Sequence, residues 1–165
     1  MNGNSKPYAI LVFGAPMSGK SSFAQQFSKR FSAPFLNISE LHAESRISRK
    51  TAMKLAAEIA KSKQTMIVEG GLDTEKQRNE MKRLFLSAGY LPVLIWVQTD
   101  LAAIKHRMRQ KYSNLADAKA ALESSYNKLE APADSENAIV ISGKHTFQTQ
   151  CKNVLSGISE RSGAK

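Results

Sequence analysis

The stretch YAILVFGAPMSGKSSF, residues 8–23, constrains this chain more than any other. Ile10, Leu11, Val12 and Phe13 are apolar and β-branched residues in a run that suits one short, fully buried strand. From Gly19 onward the period changes, with Phe23, Ala24, Phe27 and Phe31 recurring at helical spacing. Gly14 and Gly19 let the backbone between them turn tightly, and Lys20-Ser21 open the helix. A strand, a glycine-bounded loop and a helix opening on Lys-Ser is the arrangement whose amides cradle nucleotide phosphates.

The chemistry expected of that loop follows residue by residue. The amides of Gly14, Ala15, Pro16, Met17, Ser18 and Gly19, Pro16 excepted because it has no N–H, sit at the positive end of a helix dipole. Lys20 reaches the β- and γ-phosphates as a point charge, Ser21 offers its hydroxyl to Mg²⁺, and Ser22 adds a contact to the α-phosphate. A nucleoside triphosphate, ATP, with Mg²⁺ is therefore the expected cofactor pair.

The remaining segments alternate. Strands are expected at 34–38, 65–68, 91–97 and 138–141, and helices at 48–62, 74–88, 101–111, 115–129 and 147–159. Thr74 and Thr99-Asp100 are placed to cap helices, and Gly89 to stop one. LPVLIWV is nearly all apolar, the habit of strands covered on both faces, and Trp96 within it is expected in the core. The fold class is α/β, a three-layer sandwich around a five-stranded parallel sheet. Residues 8–160 form one domain with a helical lid at about 101–130, after a disordered lead at 1–7 and before a frayed end from Ser159.

Charge and cysteine usage bound the partners. The net charge of +10 suits an anionic partner, but it is scattered along 165 residues without a block of like charges or a recognised nucleic-acid motif. Cys151 stands alone and half-buried on the last helix, which fits a reducing, cytoplasmic setting. No apolar run approaches the length of a membrane span, and none precedes the first strand as a secretory signal would.

Beyond the loop, Glu69 ends strand three at the carboxyl edge of the sheet, where an acidic residue holds a metal-bound water or acts as a base; Asp73 is the nearby alternative. Arg107 and Lys111 share a helix face, with His106 and Arg109 beside it, and Arg107 and Arg109 are the candidates to close positive charge over a transferring phosphoryl group. Arg46 and Arg49 either bind an anionic substrate or decorate a loop. Gly143 and Lys144, after strand five, are expected to contact the base of the nucleotide. His42 and His145 are read as ordinary surface residues.

These segments together resemble the small kinases of the polynucleotide-kinase and zeta-toxin type over about residues 8–150. In EGGLDTEKQR, Glu69 stands where those kinases carry the first Asp of Asp-Ala-Thr-Asn, Leu72 stands at the Asn, and Thr74, Lys76 and Arg78 match. AGYLPVLIWVQTD is similar to their fourth strand, and HRMRQK sits where they carry lid arginines. The resemblance implies transfer of the ATP γ-phosphoryl group to a hydroxyl of a small molecule or a nucleic-acid end, with Arg78 at the phosphate or substrate edge. One departure bears on this. The family's Asp after strand two, taken as the base, is replaced in FLNISELHAESR by Ser39, with Glu40 one position along. Glu69 or Glu40 would then serve as base. The alternative is a nucleotide-binding module with little transfer chemistry.

Overall fold

The computed structural model describes residues 6–163. Five strands, β1 (Tyr8–Phe13), β2 (Phe35–Asn37), β3 (Met66–Glu69), β4 (Leu91–Gln98) and β5 (Ile139–Ser142), form one sheet in the order β2-β3-β1-β4-β5. Every pairing is parallel. Seven helices connect and flank them: α1 (Lys20–Phe31), α2 (Ile38–Ser45), α3 (Arg49–Ala60), α4 (Glu75–Ser87), α5 (Leu101–Lys111), α6 (Leu115–Tyr126) and α7 (Phe147–Gly163). The crossover from β1 leads to β2 on one side and that from β3 returns to β4 on the other, so the winding reverses at β1. The crevice beyond its carboxyl end is where open α/β sheets bind ligands.

Strand alternation sorts the core into two layers. Ile10 and Val12 join Ile67, Val93, Ile95, Val97, Ile139 and Ile141 on the face covered by Phe23, Ala24 and Phe27 of α1 and Val154 of α7. Ala9, Leu11 and Phe13 join Val68 and Leu94 on the opposite face, under Ala52, Ala56 and Ala60 of α3 and Met81 and Phe85 of α4. The alanine row on α3 turns that helix's small-residue side into this layer of the core. The three layers expected from the alternating segments are present.

Local signals set several boundaries. Thr74 accepts from the Gln77 amide while the Gln77 side chain accepts from the Thr74 amide, a reciprocal cap for α4. Gly89, at φ 83, lets the chain leave α4 in a left-handed turn, and the Tyr90 amide closes back onto the Phe85 carbonyl. Other details differ from expectation. The eight-residue α2 follows β2 directly, capped by Asn37 accepting from the Glu40 amide. Phe31 lies 42% exposed at the rim of the core, its ring 4.5 Å from that of Phe27. α7 runs on to Gly163 rather than fraying at Ser159, and residues 1–5 of the expected lead lie outside the described residues. Trp96 is half-buried, not enclosed, with consequences described below. No helix among the described residues is long and apolar enough to cross a membrane.

Candidate active site

The turn from β1 into α1 is held from three directions. The Ser18 amide closes onto the Ala15 carbonyl at 3.1 Å, and Thr99 Oγ1, at the end of β4, donates to the Ser18 carbonyl at 2.8 Å. Arg107 of α5 donates to the Met17 carbonyl at 2.9 Å and the Gly143 carbonyl at 2.6 Å. These bonds fix the loop while its amides remain available at the start of α1. A cleft of about 540 Å³ opens there, lined by Pro16, Met17, Gly19, Lys20, Ser21 and Ser22 of the loop, with Arg107, Lys111, Gly143, His145, Phe147 and Gln150. The volume lies within the roughly 300–1,000 Å³ of small-molecule sites. Gly14, Ala15 and Ser18 are buried behind it and shape the turn from below. Ala15 packs against Ile104 and Met108 of α5 and Leu122 of α6.

At the phosphate end, Ser21 Oγ donates to Glu69 Oε1 at 2.6 Å. Glu69 is only 1% exposed, and its Oε2 is buried without a hydrogen-bond partner. Burial pushes the Glu69 carboxyl above its ordinary range, against the opposing pull of the Ser21 hydrogen bond and the Lys20 charge, while Glu40 adds to the rise. Burial likewise pushes Lys20 below its ordinary value, and Glu69 and Asp73 counter it. A hydroxyl and a half-satisfied buried carboxylate are the hard oxygen donors a divalent cation takes. The residues present therefore fit Mg²⁺, which keeps waters and phosphate oxygens for its other positions. Among the described residues no group of three or more His, Cys, Asp or Glu side chains forms an all-protein cage.

The glycines after β3 shape the neighbouring surface beside Glu69. Gly70, at φ 87, lies so close to Ser39 that a Cβ there would collide with the Ser39 hydroxyl and amide. This contact seats the first turn of α2 against the end of β3. It leaves Glu40 exposed but within electrostatic reach of Glu69. Arg46 ends α2 in a left-handed conformation and is exposed.

Four expectations are corrected. Arg78 does not reach a phosphate or a substrate: it is fully buried, paired with Glu136 through Nε–H at 2.8 Å and an Nη2 bond at 2.7 Å. Its Nη1 donates to the carbonyls of Leu72, Asp73 and Glu130, and its guanidinium lies over the Phe13 ring. Arg49 is not a free cation, because it pairs with Glu80 at 2.6 Å and donates to the Gln77 carbonyl. Arg109 points away from the cleft into the groove between α5 and α6, since two residues along a helix turn about 200°. Lys111, four residues from Arg107, takes the place in the cleft. Lys144 turns outward to Asp100 at 2.8 Å, and His145, read from the sequence as an ordinary surface residue, lines the cleft in its stead. Phe147 and Gln150 are further lining residues that the sequence reading passed over; their position on the first turn of α7 was the available signal.

Comparison with known proteins bears on the same region. A family model described as an AAA domain matches residues 10–132. The chain belongs to the AAA domain family. Among solved structures it is similar to a gluconokinase from Sinorhizobium meliloti 1021, with a TM-score of 0.72 at 16% identity over 94% of this chain and 93% of that one. It is similar also to a sugar kinase from Janibacter sp., with a TM-score of 0.70 at 15% identity over 93% and 95%. An APS kinase from Mycobacterium tuberculosis in complex with AMPPNP and APS gives 0.68 at 14% identity over 93% and 98%. At these identities the likeness establishes a shared fold across nearly the whole chain. No curated protein sequence matches.

Gly143 is the position where cleft and loop meet most tightly. A Cβ on it would collide with the Ser18 carbonyl oxygen and the Thr99 hydroxyl, one of them backbone. Gly143→Ala is therefore expected to push the β1–α1 turn out of place. Nucleotide affinity should fall at least tenfold by calorimetry, because misplacement of about 1 Å costs on the order of 10²-fold in aligned chemistry. An unchanged affinity would show that the turn tolerates the displacement.

Proposed function

We propose that this AAA-domain protein is an ATP-dependent phosphotransferase that moves the γ-phosphoryl group of Mg·ATP to a hydroxyl of a small molecule. The observation that carries the reading is the Ser21–Glu69 contact beside Lys20, with the unpartnered Oε2 of Glu69 behind it. Support comes from the neighbours of similar fold, a gluconokinase, a sugar kinase and an APS kinase. The resemblance to polynucleotide and zeta-toxin-type kinases points to the same reaction, but nothing in the cleft favours a nucleic-acid end as acceptor. The single cysteine and the nucleotide cofactor fit a cytoplasmic setting.

In this reading the loop amides and Lys20 hold the β- and γ-phosphates, and Lys111 and Arg107 add charge from the lid side. Mg²⁺, held by Ser21 and Glu69, would neutralise charge on the phosphate oxygens. The acceptor oxygen attacks the γ-phosphorus, the bond to the β–γ bridging oxygen breaks, and ADP leaves. The acceptor's proton passes to a carboxylate, with Glu40 the exposed group nearest in charge to Glu69. Ser39, pressed against Gly70 where related kinases have Asp, is too weak a base for that step. This one observation favours the second reading, a nucleotide-binding module that turns over slowly.

ATP consumption measured against a panel of polyols, sugar acids and sulfated nucleotides separates the two. Acceptor-dependent turnover supports the phosphotransferase; binding of ATP and ADP alike without turnover across the panel supports the module. Glu69→Gln supplies the internal control. It should keep ATP binding while turnover falls by about 10²–10³, as when one charge-stabilising group is removed. Its folded carboxyl lies above the ordinary value, so the ionised group opposes folding above that raised pKa and not below the unfolded value. Without metal, Glu69→Gln should thus melt higher than the parent at pH 8, and the gain should vanish as the pH falls toward 4.

A further inference from the structure

The pair β4–β5 leaves one face uncovered. In register, Trp96 lies beside Val140 and Gln98 beside Ser142. Alternation puts these four on the side opposite Val97, Ile139 and Ile141, which pack under α1 and α7. α3 and α4 cover the middle of the sheet on that side, and Val140 stays 49% exposed. The end of α6 and the chain after it supply a wall of Tyr126, Leu129 and Ala131, and the open cleft beside it measures about 1110 Å³, against about 540 Å³ for the nucleotide cleft. His145 borders both, on opposite sides of the β5–α7 turn.

The floor of this second cleft has a specific chemistry. Phe13 is the register partner of Trp96 on the β1 side, and their rings are parallel within 7° with centroids 6.3 Å apart. Phe13 in turn carries the Arg78 guanidinium, 4.7 Å from its centroid. Two parallel rings on neighbouring strands, Phe13 with the Arg78 guanidinium over it and then Trp96, thus form a row that ends at the indole. On its other side Trp96 has only the short Val140, so the row has room for one more flat group. Next along the strand stands Gln98, whose amide makes no hydrogen bond among the described residues and offers both a donor and an acceptor. Tyr126, 47% exposed, faces the opening from the lid. The Lys144 ammonium in the lining is paired with Asp100 at 2.8 Å, so its charge is balanced within the lining.

We propose that this cleft is a second binding site, for a neutral planar heteroaromatic molecule of the nucleoside class. Its ring stacks beside Trp96 over Val140, and Gln98 reads its donor–acceptor edge, as carboxamides read adenine. The site is separate from the nucleotide cleft and stands whether or not the protein transfers a phosphoryl group.

Trp96 is the only tryptophan in the chain, so intrinsic fluorescence reports from the floor of the cleft itself. The experiment titrates the full chain with adenosine while a non-hydrolysable ATP analogue with Mg²⁺ saturates the nucleotide cleft. A saturable change in tryptophan emission is expected. It should weaken about tenfold in Gln98→Ala and disappear in Val140→Phe, which fills the slot from an exposed position. Circular dichroism melting of both variants confirms that they fold. Three results overturn the proposal: no saturable change up to the solubility limit of adenosine, a change that the ATP analogue abolishes, or a cleft closed by a second copy of the chain, seen as a dimer by light scattering that Val140→Phe dissociates.

Discussion

Glu136→Ala is expected to destabilise the fold by about 3–5 kcal/mol, the cost of leaving one member of a buried ion pair uncompensated. For a domain of this size that is a fall in Tm of roughly 6–20 °C. Arg78, 0% exposed, would keep its charge with no carboxylate beside it. The pair also joins distant parts of the chain, since Arg78 on α4 bonds the Leu72 and Asp73 carbonyls after β3 and the Glu130 carbonyl after α6. Replacing both partners with apolar residues, Arg78→Met with Glu136→Leu, should recover part of the loss, because no buried charge remains while three carbonyls still lack their donor. The pH dependence has a definite sign. The Arg78 hydrogen bond holds the Glu136 carboxyl below its ordinary 4.5, so the stabilisation is full above that value and is lost as the pH falls through the lower, folded pKa. The difference in chemical-denaturation midpoint between the parent and Glu136→Gln should accordingly shrink in acid below about pH 4. A difference that is constant down to pH 3 would remove the pair from the account.

The contrast between Arg78 and the phosphate loop shows which parts of such a protein are legible in its sequence. The β1–α1 turn is local: strand run, glycine spacing and helix period lie within sixteen residues, and the structure follows them to within one residue. The reciprocal cap at Thr74 and the stop at Gly89 are local in the same way. Arg78 lies in a segment that matches the kinase pattern, yet its partner is Glu136, 58 positions away, and only the folded chain brings them together. The α5 cations were readable in part. Arg107 and Lys111 share the cleft because of their spacing, and the same periodicity turns Arg109 away. The choice between Lys144 and His145 depends on how a tight turn is rotated, which Asp100 decides from across the sheet edge. Trp96 sits in an apolar strand as expected, but its burial depended on whether a helix covers β5, and among the described residues none does on that side. The missed α2 is short and mostly polar, held by one cap and by the Gly70 contact rather than by periodicity.

Lys20→Met should separate stability from chemistry at the site itself. Burial holds the Lys20 ammonium below its ordinary pKa despite the Glu69 and Asp73 charges, and among the described residues the side chain makes only a long 3.5 Å bond, to the Ala15 carbonyl, so without ligand the charge is incompletely compensated. An apolar chain of similar length removes that burden. The linkage again has a fixed direction, because a lysine whose folded pKa is depressed opposes folding while it must be protonated and ceases to do so as the pH rises through its unfolded value. The variant should therefore melt at or above the parent temperature at pH 7. With ligand the sign reverses. The triphosphate supplies the countercharge that the ammonium lacks, and more charge accumulates on the transferring group in the transition state than in bound ATP. Acceptor-dependent kcat/KM is expected to fall by at least about 10²–10³, the scale of losing one preorganised charge donor, and the stabilisation of the protein by Mg·ATP should largely disappear. A protein that stays folded, loses its thermal response to ATP and stops turning over assigns the effect to phosphate binding. A Lys20→Met protein that still gains several degrees from millimolar Mg·ATP would mean that the loop amides alone hold the nucleotide, and would shift the centre of the site toward Arg107 and Lys111.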